Sequence, residues 1–197
     1  MDPLDNFGNV PEWVKLVRLD PKKIRMIFPE NPDHWVLVDT AEQCLTLHLQ
    51  QGKSVAWPVS TGAVGINGKI DSNGTPPGLH IIKEKIGKDE PAGMVFLSRQ
   101  PTGNIWKPES GVAGGSDVPS ETDPDLILTR ILTLEGLEKG LNRGPGCDSL
   151  ERYIYIHGTN HETEIGHPVS HGCVRMTGAH VTELFDLVAE GDPVVIL

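Results

Sequence analysis

The sequence is poor in cysteine, in positive charge and in long apolar runs. Cys44, Cys147 and Cys173 are the only cysteines among 197 residues, an odd and small number that excludes a disulfide scaffold and leaves at least one thiol free. Lysine and arginine number 17 against 27 aspartate and glutamate, a net charge of -10. That balance opposes phosphate backbones and anionic lipid, so neither nucleic acid nor a membrane is expected as a partner. No stretch approaches the roughly 18 uncharged apolar residues of a spanning helix. The start, MDPLDNFGNVPEWVKLVRLD, lacks a basic segment followed by an apolar run. The expected location is cytoplasmic, or periplasmic if a leader has been removed.

What the chain has is glycine and proline, 22 and 16 residues, well above the usual combined share of roughly 12%. This favours strands and loops over long helices. Residues 1–33 show no clear period and carry a basic patch of Lys15, Arg18, Lys22, Lys23 and Arg25. They read as an irregular arm packed on a domain formed by residues 34–197. From His34 the pattern turns to alternation bounded by glycine, with candidate strands at 35–38, 45–49 and 54–59. Further strands are expected at 79–83, 94–98, 126–134, 153–157 and 193–197, and long loops at 61–79 and 100–124. Val181, Leu184, Phe185 and Val188 recur at helical spacing, with Thr177 as N-cap and Gly191 just past the end. The expected fold is mainly β, a β-sandwich of two small mixed sheets, with one α-helix near the C-terminus and long loops.

The chemistry concentrates in YIYIHGTNHETEIGHPVSHGCVRM, residues 153–176. His157 ends an apolar strand, where a side chain can leave the core at the start of a loop. Cys173 follows Gly172, and a thiol becomes a good nucleophile when an imidazole takes its proton. Glycine lets the backbone turn N–H groups toward a developing oxyanion, so the N–H groups of Gly172 and Cys173 are the candidate oxyanion hole. Arg175 offers a planar fork of donors to a substrate carboxylate or to a loop carbonyl. The blander readings are a buried structural thiol and a structural strand-end histidine, and Cys44 and Cys147 keep the first of these. A metal reading exists because His157, His161, His167, His171 and Cys173 fall within 17 residues. Their spacing is irregular and no paired CxxC or HExxH accompanies them, so no metal or other cofactor is expected.

IHGT followed by SHGCVRM resembles the signature of the L,D-transpeptidase catalytic domain family, the YkuD type. Val59-Ser60-Thr61-Gly62, Thr75-Pro76-Pro77-Gly78 and Leu128-Thr129-Arg130-Ile131-Leu132 are similar to further segments of that family, and together they cover about residues 34–197. The resemblance implies a YkuD-like fold, Cys173 as acyl-forming nucleophile, His157 as base and proton donor, and Gly172 as an oxyanion-hole element. It also implies that Ser170 and His171 order the loop or help place substrate; Arg175, the candidate substrate-binding residue, stands where members carry Asn or Arg. Pro77 and Leu79-His80 depart from the family's usual residues.

The implied reaction is attack by the Cys173 thiolate on the L,D peptide bond between diaminopimelate and D-alanine of a peptidoglycan stem tetrapeptide, through a thioester. With water as acceptor the chain would be an L,D-carboxypeptidase releasing D-alanine from muropeptides in cell-wall recycling. With a second stem's amine it would be an L,D-transpeptidase making 3-3 crosslinks. The absent leader favours the first. A non-catalytic peptidoglycan-binding module is the third class, disfavoured by an intact Cys173 and His157. Carbapenem-type inhibitors are expected to acylate Cys173.

Overall fold

A computed structural model describes residues 35–107 and 125–197; the arm at 1–33 and residues 108–124 of the second long loop lie outside the described residues. Among the described residues, ten strands and one α-helix follow in the order β1 (Trp35–Asp39), β2 (Cys44–His48), β3 (Ser54–Pro58), β4 (Gly78–Ile86), β5 (Met94–Leu97), β6 (Gln100–Ile105), β7 (Ile127–Gly136), β8 (Tyr155–Gly158), β9 (Val174–Met176), α1 (Gly178–Leu187) and β10 (Pro193–Ile196). The fold is mainly β, with a mixed sheet. All ten strands share one hydrogen-bonded network, running β3-β2-β1-β10-β4-β7-β5-β6, with β8 on β7 and β9 on β8.

Local sequence accounts for much of this. β2 alternates cleanly, placing Leu45 and Leu47 in the core and Cys44, Thr46 and His48 on the other face. β10 lies between a parallel neighbour, β1, and an antiparallel one, β4. Its PVVI run is accordingly buried throughout, and Pro193 stands at its first position, where a missing ladder donor matters least. The longest strand, β7, pairs with β4, β5 and β8. Its register with β8 shifts between Leu128 and Ile131, where Thr129 has φ +68°, the bend of a β-bulge.

Helix α1 begins where Thr177 accepts the His180 N–H at 3.2 Å, as expected of its cap. Val181, Leu184 and Phe185 enter the core, and Val188 serves as C-cap rather than as a helical residue. The core they join is lined by Val36, Leu47, Trp57, Ile82, Leu132 and Ile156, among others. Three expectations change. β6, expected as loop, is a strand that exposes all six residues, and β9 is a separate strand between Cys173 and α1. Tyr153, expected within β8, has φ +57° and precedes it in a turn. Among the described residues no helix is long and apolar enough to cross a membrane.

An isolated bridge sets the site. Ser60, just beyond β3, exchanges both backbone hydrogen bonds with Arg175 of β9, at 2.9 and 2.8 Å. The path of strands that starts at β3 thus returns to it, bringing the loop after β3 beside β8 and β9.

Candidate active site

β8 is wholly buried between β7 and β9, so His157 is fixed by two ladders. His157 pairs in parallel register with Arg175, and Cys173, two residues earlier, sits beside Tyr155. Parallel partners and i, i+2 neighbours share a face, which puts Cys173, Arg175, Tyr155 and His157 on one side of the strand pair. Gly158 closes the strand because any Cβ there would lie 2.7 Å from the Leu128 carbonyl oxygen.

His157 Nδ1 lies 2.8 Å from the Gly158 carbonyl oxygen. A carbonyl can only accept, so Nδ1 carries the proton and Nε2 presents a lone pair. Burial lowers the His157 pKa from its ordinary value, with the Gly158 hydrogen bond and Asp125 opposing that shift. The ring is therefore neutral at pH 7, as a general base must be.

The Cys173 thiol is partly buried against Met94, Phe96, Ile131 and Tyr155. Its Sγ donates to the Tyr153 carbonyl at 3.3 Å and accepts the Tyr155 N–H at 3.4 Å. Burial pushes its pKa up to about 11, while the Tyr155 N–H, Arg175 and Arg152 favour the thiolate and Asp125 opposes it. The same two charges, Asp125 and Arg175, act on His157.

The turn before Cys173 is clamped by two distant loops. Ser170 Oγ donates to the Cys173 carbonyl at 2.6 Å and accepts the Gly172 N–H at 3.1 Å. Ser170 N–H bonds Thr61 O and Ala63 N–H bonds Ser170 O, both at 2.9 Å. Thr75 Oγ accepts the Gly62 N–H at 2.8 Å and donates to the Gly172 carbonyl at 3.0 Å. Gly172 has φ +118°, and a Cβ there would lie 2.9 Å from the Gly74 carbonyl oxygen, so only glycine fits the turn. Arg152 holds the 67–74 loop through the carbonyls of Asn67 and Gly74, at 3.2 and 2.7 Å.

The expected residues divide accordingly. Cys173 and His157 come together on one face, and Ser170 orders the loop. The N–H of Gly172 is engaged by Ser170 Oγ, so its expected role as an oxyanion donor does not hold in this conformation; its part is the turn. Arg175 is 2% exposed and its guanidinium faces Asp125, through Nη2, and Glu164, at 3.7 Å. It is an internal ion-pair residue, not a free fork for a substrate carboxylate. His171 is exposed, with Nδ1 3.9 Å from Asp125. Sequence reasoning missed Asp125, Arg152 and Tyr153, whose roles come from contacts far along the chain. All three cysteines are free; Cys147 is buried and Cys44 partly so. His161 pairs with Glu164 at 3.4 Å, and among the described residues no three His, Cys, Asp or Glu side chains gather as a metal site would require.

The sequence profile of the L,D-transpeptidase catalytic domain (YkuD) matches residues 33–196. The chain belongs to this family. A search of curated proteins found no match. Among solved structures the chain is similar to an L,D-transpeptidase from Mycobacterium smegmatis, with 18% identity and TM-score 0.46, over 84% of this chain and 58% of that one. An Enterococcus faecium L,D-transpeptidase gives 16% and 0.48, over 84% and 50%. L,D-transpeptidase 3 from Mycobacterium tuberculosis, in complex with a faropenem-derived adduct, gives 16% and 0.47, over 84% and 60%. The chain thus spans half to three-fifths of the length of these three solved chains.

Proposed function

We propose that this family member is a cysteine enzyme that cleaves the L,D peptide bond between diaminopimelate and D-alanine of a stem tetrapeptide, with water as acceptor. The observation that carries the reading is that a partly buried thiol, held by Tyr153 and Tyr155, shares one face of the β8–β9 pair with a His157 whose Nδ1 is bonded to the Gly158 carbonyl, which leaves Nε2 as the basic nitrogen. A thiol near pKa 11 beside an imidazole of lowered pKa is not a preformed ion pair. His157 therefore removes the Sγ proton as sulfur attacks the carbonyl, and returns it to the departing amine of D-alanine. The Cys173 N–H supplies the oxyanion donor in this reading, since that of Gly172 is engaged. Water then attacks the thioester with His157 again as base, which frees the tripeptide and the thiol.

A cleft of about 600 Å³ lies between the 84–90 segment and the β5–β6 hairpin, with Phe96 and Arg99 in its lining. The amine-accepting reading, an L,D-transpeptidase, rests on the family itself. Product analysis separates the two: incubation with a disaccharide tetrapeptide should release D-alanine and tripeptide, and dominant dimer formation would overturn the hydrolytic reading. A hydrolytic enzyme would meet recovered muropeptides in the cytoplasm, and recovery of the protein in the periplasmic fraction would overturn that placement.

Solved relatives carry imipenem or a faropenem-derived adduct. A carbapenem is accordingly expected to add its mass to this chain at Cys173, visible by intact mass spectrometry. Cys173→Ala should lose the adduct and reduce D-alanine release by a factor on the order of 10⁴ or more while the protein stays folded. An adduct or turnover that survives the substitution would remove the thiol from the mechanism.

A further inference from the structure

We propose that Arg99, at the tip of the β5–β6 hairpin, binds a carboxylate of the peptide substrate beside Cys173 and so makes the site selective for anionic stems. The proposal rests on the Cys173-centred reading above. It begins with the turn. Ser98 and Arg99 join β5 to β6, with Leu97 paired to Gln100 across them, and their φ values are +48° and +69°. Two central residues at positive φ are the demand of a type I′ turn, usually met by Asn-Gly or Gly-Gly. Neither a serine nor an arginine suits it, and backbone held this way points toward function.

What the turn achieves is the placement of one guanidinium. Arg99 Nε donates to the Tyr155 hydroxyl at 2.7 Å and Nη2 to the Leu150 carbonyl at 3.2 Å. The group lies over the rings of Tyr153 and Tyr155, 5.1 and 5.4 Å from their centroids. These are the two residues whose backbones hold the thiol. Tyr155 has its N–H on Cys173 Sγ and its hydroxyl on Arg99, so one tyrosine links the thiol to the guanidinium.

The guanidinium is not saturated. Two of its five donors are committed to those oxygens, and its nearest anion, Glu84, is 4.0 Å from Nη1 and half-exposed, too far for a hydrogen bond. Arg99 keeps 24% of its side chain exposed and lines the cleft. The other two arginines around the thiol are more fully committed. Arg175 is enclosed with Asp125 and Glu164, and Arg152 gives three of its five donors to Asn67, Ser72 and Gly74. A planar fork pinned at one edge and open at the other fits a carboxylate.

A stem tetrapeptide offers two carboxylates near the scissile bond, that of the terminal D-alanine and the side-chain carboxylate of diaminopimelate. Binding to Cys173→Ala protein, measured by calorimetry, separates Arg99 from turnover. Three tetrapeptides serve as probes: the free acid, one amidated at the terminus and one amidated at diaminopimelate. Adding Arg99→Gln should weaken binding of the free acid tenfold or more. Amidation of the recognised carboxylate should weaken binding to the Arg99 protein similarly and leave no further effect of Arg99→Gln; the peptide that shows this names the carboxylate. Arg99→Gly, whose backbone suits the turn, repeats the test without strain on the hairpin. Unchanged affinity for the free acid, an equal loss for all three peptides, or no binding by the Cys173→Ala protein would overturn the assignment. D-alanine release by the wild-type enzyme, measured in parallel, reports separately on the proposed reaction.

Discussion

The Cys173 thiol is held by backbone groups on both sides, and its surroundings favour the neutral form: burial and Asp125 outweigh the Tyr155 N–H and the two arginines. A pKa near 11 against an ordinary 9.0 means about 100-fold less thiolate at neutral pH than an ordinary cysteine carries. Alkylation of Cys173 by iodoacetamide, followed on its peptide by mass spectrometry, should therefore be slow at pH 8 and climb about tenfold per pH unit until it nears 11. A plateau below pH 9 would mean that the thiolate is stabilised and that His157 need not act at the moment of attack. Substrate turnover should not share that steep rise, because His157 takes the proton in the same step.

The elements divide into strands that carry His157 and loops that hold the turn before Cys173. Thr75 is the bolt between loops, joining Gly62 N–H to Gly172 C=O. Thr75→Val strands both groups, each worth about 1–3 kcal/mol when buried and unpartnered. The variant should unfold at lower denaturant and lose tenfold or more in kcat, while Thr75→Ser restores both; a Val variant as stable and active as the parent would remove the bolt. The helix was legible beforehand because its signals are local: Thr177 caps, and Val181, Leu184 and Phe185 repeat at helical spacing. β9 was not, since three buried residues have no period and owe their pairing to β8. β6 was missed because its six residues are all exposed and the Ser98–Arg99 turn lacks the usual Asn or Gly. SHGCVRM marked the turn at Cys173 but misplaced Arg175, whose partners Asp125 and Glu164 come from other segments and leave no trace in local spacing.

At the scale of the whole molecule, buried polar groups tie the loops to the sheet, and one of them titrates. His80 of β4 is fully buried, with Nδ1 3.0 Å from the Gly78 carbonyl and Nε2 2.9 Å from Ser149 Oγ. Nδ1 donates and Nε2 accepts, an arrangement that only the neutral ring satisfies. Burial lowers its pKa from 6.5 to about 4. The unfolded chain therefore takes up the proton first as pH falls, so the contribution of His80 is complete above pH 6.5 and lost between 6.5 and about 4. At 1.36 kcal/mol per unit the full loss is about 3 kcal/mol. Burial lowers the His157 pKa too, and its contribution falls in the same direction, so the comparison must isolate His80. Denaturant midpoints at pH 7 and pH 4.5 should show that the wild type loses about 2 to 3 kcal/mol more than His80→Gln, although the variant starts less stable at pH 7. Carboxylates and His157 titrate alike in both proteins and cancel in the difference. Equal losses in the two would mean that the His80–Ser149 contact packs the loop against β4 without linking it to pH.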